Sequence, residues 1–407
     1  MDLVIRNARL KGEEELLDIG VQGGKIAAIE KKISDKAKEE IDAKGRLTTP
    51  AFPNPHVHPD KSFLSDKVDP LRKTGGSVEN LELTNVFKKN YTKEDLLERG
   101  GKVMELAARY GSTMVRAFAD VDSIGGLLPL KTVLQLKEDY KDIVEIQVAT
   151  FAVGTIVHHP ENEDLMKEAM KLGPDLVGGL PWSELTDEDA KYHTDFIFDL
   201  ARQYNTDIAF CDDTMEDFHS RGLEYTAAKV IKEKFPNIVT SSNVEAFTQY
   251  DAAHRAKVIR MVKEAGVNIL NNPGVSLFNH AVSRWDTLAN ELLNAGVNVC
   301  LGQDDLNDPF YPFGKMDQLE LAFLAAHYWR MIFPHQFEKI FDLITYNAAK
   351  AMGIKDYGLA IGCRADIVVH EAESVKEALR MRLERPYVIK GGRIVAENGV
   401  VRRYKPN

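Results

Sequence analysis

The sequence predicts an α/β fold: a (β/α)8 barrel of the TIM type with a small β-sandwich domain built from both termini. Three observations predict it. Through the centre, helical stretches with apolar residues at three- and four-residue spacing alternate with short β-branched runs, the pattern of a parallel sheet with helical crossovers. The alternation gives about eight units in roughly 300 residues, the size of a closed barrel. Both chain ends instead carry short strands around a Gly-Gly turn, Gly23-Gly24 near one and Gly391-Gly392 near the other.

Taken in order, residues 1–50 read as strands Leu3-Val4-Ile5, Leu17 to Val21 and Lys25 to Ile29. Residues 51–357 form the barrel. Its first strand runs out of Leu47-Thr48-Thr49-Pro50-Ala51-Phe52 and ends at His56 and His58. Helices follow from Lys93 to Tyr110 and from Leu130 to Tyr140. Ser112 to Arg116, Val144 to Val148, Asp175 to Gly178, Asp207 to Phe210, Val267 to Leu270 and Val297 to Leu301 supply further strands. Residues 358–407 return to the sandwich through Ala365 to Val369 and Val388 to Val395.

Bulk properties narrow the function. The 407 residues are 44% hydrophobic and 28% charged, values of a globular protein that stays in water. A net charge of −10 argues against a nucleic-acid partner, because phosphate binding needs a basic surface. No apolar run reaches membrane-spanning length, so no membrane partner is expected. The N-terminus reads as a charged strand, not a basic segment followed by an apolar one. Cys211, Cys300 and Cys363 are widely separated and form no Cys-x-x-Cys pair. A reducing cytoplasm is the expected location.

His56 and His58 are the first chemical signal. Residues i and i+2 of a strand share a face, so both imidazoles aim at one spot. Neutral imidazole suits zinc and other borderline metals. Two histidines on the solvent face of an edge strand would give the same sequence.

Asn54-Pro55-His56-Val57-His58-Pro59-Asp60-Lys61, Val115 to Asp122, Leu176 to Pro181, Gly302-Gln303-Asp304-Asp305 through Asp308-Pro309 to Gly314, Asn347 to Gly353 and Gly362 to Val369 together resemble the amidohydrolase superfamily, in its cytosine deaminase-like branch. The resemblance implies a barrel that holds one divalent metal ion, zinc or iron, which turns a water into the attacking hydroxide. It implies metal ligands His56, His58 and Asp304. It also implies a small heterocyclic substrate and a homo-oligomer, since such barrels often form symmetric assemblies.

The chain departs from that pattern. Phe210 stands where the family has a third histidine ligand, and Asp213 where a proton-shuttling glutamate follows three residues later. Asn243 replaces the next histidine, Phe118 another on the second strand, and Ala152 the substrate-binding glutamine of cytosine deaminases. The expected catalytic residues are therefore Asp213 and Asp304, with Asp213 as shuttle or fourth ligand. Phe118 and Phe210 should make the floor of the mouth apolar. Asp305, Trp182, Asn243 and Phe310 are the expected substrate-binding residues, Trp182 by stacking on a flat ring. Lys61 is placed to meet an anionic or carbonyl group, or to pair with Asp60. His158-His159 reads as a solvated loop. The activity expected is hydrolysis of a C–N bond in a small nitrogen heterocycle. The alternative is a catalytically impaired relative that only binds a small ligand.

Overall fold

The structure, a computed structural model, describes residues 1–279, 285–331 and 333–404. Eight parallel strands stand in sequence order: Phe52–Val57, Ser112–Val121, Glu145–Ala152, Leu176–Gly179, Asp207–Cys211, Val239–Ser242, Asn268–Asn271 and Val299–Leu301. Every residue of the first and second strands is buried, as expected for a sheet covered on both faces. Helices follow the strands, including Lys93–Arg109 and Leu128–Asp139, whose ends lie within two residues of the expected ones. Thr92 caps the first of these, its side chain accepting from Asp95 N.

The seam of the barrel closes at its C-terminal rim. Val57 bridges to Asp304, the Asp304 N–H donates to the His56 carbonyl at 2.8 Å, and the His58 N–H donates to the Asp304 carbonyl at 3.3 Å.

Side-chain alternation sorts the strands into two layers. Ala117, Ala119, Val148, Ala152, Ile208 and Phe210 pack outward into the large core under the helices. Phe118, Ala149, Phe151, Ala209 and Cys211 form a separate apolar cluster with Leu176 and Leu180. That cluster is the inner lining of the upper barrel.

Strands from both ends of the chain join one nine-stranded sheet. Leu47–Pro50 pairs in parallel with Leu3–Leu10 and antiparallel with Ile367–Val369, then runs through Ala51 into the first barrel strand. The two Gly-Gly turns meet: a side chain on Gly24 (φ +77°) would lie 3.3 Å from the Gly391 carbonyl oxygen. Among the described residues no helix is long and apolar enough to cross a membrane.

Candidate metal centre and active site

His56 Nε2 and His58 Nε2 lie 3.0 Å apart, and each is 3.3 Å from Asp304 Oδ1. All three side chains are buried, and their ligand atoms converge as a group able to hold a metal ion. Strand period brings the two histidines together, and the seam brings Asp304 to them. The backbone of Asp304 is left-handed (φ 61°), as is that of Asn243 (φ 51°), a conformation that costs energy and tends to gather at functional sites. Gly302 permits the approach, because a Cβ there would meet Asn272 Oδ1 at 2.9 Å and His56 Cβ at 3.0 Å.

The second carboxylate oxygen of Asp304 is held from behind. Asn243 Nδ2 and Asn272 Nδ2 both donate to Oδ2 at 2.9 Å, and Asn272 Nδ2 also reaches Asn243 Oδ1 at 2.8 Å. Oδ1 is thereby turned to the imidazoles. Burial alone would raise the carboxyl pKa, but His56 and His58 outweigh it and hold Asp304 well below the usual range. Burial lowers the His56 pKa to about 3, with the Asp304 carboxylate working against it. Phe118 stacks on the His56 ring, with ring centroids 3.9 Å apart and planes 17° from parallel.

Above the cluster lies a cavity of ≈ 50 Å³, room for a few waters. His58, Asp304, Asp305, Lys61, Asn243, Cys211 and Thr214 supply its polar wall, and Phe151, Trp182 and Phe310 its aromatic wall. Trp182 and Phe310 are half-buried at the mouth. Lys61 sits 3.2 Å from Asp305 Oδ1 and 4.7 Å from the Phe310 ring centroid. Burial works against the Lys61 charge, yet Asp305 and neighbouring acids keep its pKa raised.

The structure thus brings together His56, His58, Asp304, Asp305, Trp182, Asn243 and Phe310. It takes Asp213 away. The Asp213 carboxylate accepts from Gly222 N at 2.9 Å, Leu223 N at 2.8 Å and Ser220 Oγ, which fixes the start of helix Gly222–Glu233 outside the cavity. Phe210 is not part of the floor either. It faces the helices, 6.0 Å from the Phe198 centroid, while Cys211 and Thr214 occupy the inward positions three residues apart. Ala152 likewise points outward, and Phe151 lines the cavity. Matching the chain to the family's motif positions puts both strands one residue out of phase. It also gives no hint of the helix Ser77–Lys88, whose Ser77, Leu81 and Thr84 close one side of the cavity, and it passes over Asn272. Asn271-Asn272-Pro273, directly after a strand, is the signal that could have found Asn272.

An eight-stranded parallel barrel with a His-x-His pair and an aspartate on its C-terminal rim carries the ligand group that a metal-assisted barrel hydrolase uses. The chain belongs to the amidohydrolase family, whose model matches residues 74–396. It is 29% identical to N-isopropylammelide isopropyl amidohydrolase of Pseudomonas sp. (strain ADP) over 98% of both chains. It is 25% identical to pterin deaminase of Rhizobium rhizogenes (strain K84 / ATCC BAA-868), over 88% of this chain and 82% of that one. Its structure superposes on 5-methylcytosine deaminase from Klebsiella pneumoniae liganded with 5-fluorocytosine with a TM-score of 0.90 and 29% identity, covering 99% and 98% of the two chains. The protein is a hydrolase acting on C–N bonds other than peptide bonds.

Proposed function

We propose that the protein hydrolyses the C–N bond to an amino group on a small planar nitrogen heterocycle, with a divalent cation held by His56, His58 and Asp304. The convergence of those three ligand atoms at the base of the cavity carries the reading. Two imidazoles and a carboxylate suit zinc or a first-row metal with open positions. A cation held there would supply hydroxide near neutral pH. The relatives named above act on N-isopropylammelide, pterin and 5-methylcytosine, all flat rings rich in nitrogen.

The residues divide the work. Asn243 and Asn272 fix Asp304 so that Oδ1 faces the imidazoles and is the oxygen it would offer a cation. Phe151, Trp182 and Phe310 offer flat walls to a ring. Trp182 Nε1 is buried without a partner among the described residues, so it is free to donate to a ring carbonyl. Lys61 and Asp305 add a donor and an acceptor for the ring's polar edge.

A second reading rests on a separate observation. The fifth and sixth strands offer Cys211, Thr214 and Asn243 to the cavity, where histidine or glutamate would provide a base. A site without that base would bind the heterocycle and turn it over slowly or not at all.

The test is metal analysis of protein purified without chelator, then ammonia release from a panel of aminopyrimidines, aminotriazines and pterins. A bound divalent ion and turnover of one ring class support the proposal. Ligand-induced stabilisation without turnover, after reconstitution with zinc, iron and manganese, favours the second reading. Neither metal nor turnover nor binding removes both.

A further inference from the structure

His58 also belongs to a second group of buried ligand atoms, with two acids. His58, Asp60 and Asp120 each present an atom within 4.8 Å of the others. His58 Nδ1, Asp60 Oδ1 and Asp120 Oδ1 are buried and lack hydrogen-bond partners, whereas the remaining carboxylate oxygens are engaged. Asp60 Oδ2 accepts from Asp120 N at 2.9 Å, and Asp120 Oδ2 accepts from Lys88 Nζ at 2.6 Å. Lys88, on the helix that walls the cavity, also reaches Asp122 Oδ2 at 2.6 Å. One oxygen of each acid is pinned, and the other has no partner.

The cluster on the metal side makes that arrangement matter. Two ring nitrogens 3.0 Å apart cannot both carry hydrogens, so at least one of His56 and His58 keeps its proton on Nδ1. Buried acceptors stand next to His58. A metal-ligating histidine ordinarily gives its other N–H to such a carboxylate, which fixes the tautomer and strengthens the ligand.

We propose that Asp60 and Asp120, anchored by Lys88, are positioning residues that accept the Nδ1 proton of His58 and so hold its Nε2 bare toward the cation seat. The tie runs from the cavity-wall helix through Lys88 and Asp120 to a metal ligand. The tautomer half stands on the metal-free chain; the affinity half rests on the metal reading above.

Two measurements test it. In metal-free protein labelled with 15N-histidine, with His58 assigned from His58→Asn, the His58 resonances are expected to show Nδ1–H and bare Nε2. A proton on Nε2 would overturn the proposal whether or not the protein binds metal. In the second, zinc and cobalt(II) affinities are measured by chelator competition. Asp120→Asn and Asp60→Asn are expected to weaken binding about 10- to 100-fold. Asp122→Asn also disturbs Lys88 but has no place beside His58, and should change affinity by less than about threefold. Equal losses in all three variants would mean that the acids only support the fold, and would overturn the positioning role. Should Asp120→Asn fail to fold, the tautomer of the unmodified chain still decides.

Discussion

His56 and Asp304 are joined twice: the Asp304 N–H donates to the His56 carbonyl at 2.8 Å, and the Asp304 carboxylate stands 3.3 Å from the His56 imidazole. The hydrogen bond that closes the barrel therefore also sets the proposed metal ligands. Asp304→Asn keeps the backbone link and much of the shape but removes the charge between two imidazoles. It is expected to abolish metal retention while leaving the far-ultraviolet circular dichroism unchanged. Metal content close to that of the unmodified chain would show that the carboxylate is not a ligand.

Asp213 has a structural assignment, so its removal should be felt in stability. It satisfies two backbone N–H groups at the start of helix Gly222–Glu233. Asp213→Ala should cost about 1–3 kcal/mol in urea unfolding, through a lost cap and two unsatisfied donors, one of them fully buried. Well below the melting temperature, kcat should stay within about twofold, since no part of the residue reaches the cavity. A kcat loss of several orders of magnitude at full folding would return Asp213 to the chemistry.

The barrel strands are legible because short β-branched runs between amphipathic helical stretches rarely form anything but a parallel sheet. The His-x-His pair is legible because strand period leaves its geometry little freedom. The phase of the inner strands is not. Asp207-Ile208-Ala209-Phe210-Cys211 is buried on both faces from Ile208 on, so no polar alternation marks which side chains point in. A shift of one residue turns every side chain to the other face. Matching to the family's motif positions therefore puts Phe210 and Ala152 in the cavity that Cys211 and Phe151 line, and carries Asp213 with them. The Asn243–Asn272–Asp304 contacts are also out of reach of the sequence, because they join three strand ends that only closure of the barrel brings together.

The corrected phase makes a paired prediction. Phe210→His places a polar ring in the packed layer against Phe198 and should destabilise the fold by about 3–5 kcal/mol, the range for emptying or disrupting an aromatic site, with no gain in metal affinity. Cys211→His places an imidazole in the cavity with His58 and Asp304. It should tighten zinc binding by about tenfold or more, as a third nitrogen ligand would. Chelator competition and urea unfolding on both variants check this, and tighter binding by Phe210→His would reverse the assignment.

Acid should weaken the fold through two histidines outside the candidate metal centre. His370 is buried in the terminal sheet with Nε2 2.8 Å from Thr49 Oγ1, and burial, then Arg385, hold its pKa well below the ordinary value. His193 is lowered by burial despite its 2.9 Å contact to Glu184 Oε1. Below about pH 6.5 the unfolded chain takes up protons at both positions that the folded chain refuses, so the unfolded state is favoured as pH falls. Each histidine contributes up to about 1.4 kcal/mol of lost stability per pH unit in that window, and nothing above it. Urea unfolding at pH 7.5 and 5.5 should show the loss, and His370→Gln, which cannot titrate, should lose less between the same two pH values. Equal losses in the two proteins would mean that His370 takes its proton in the folded state as readily as in the unfolded one.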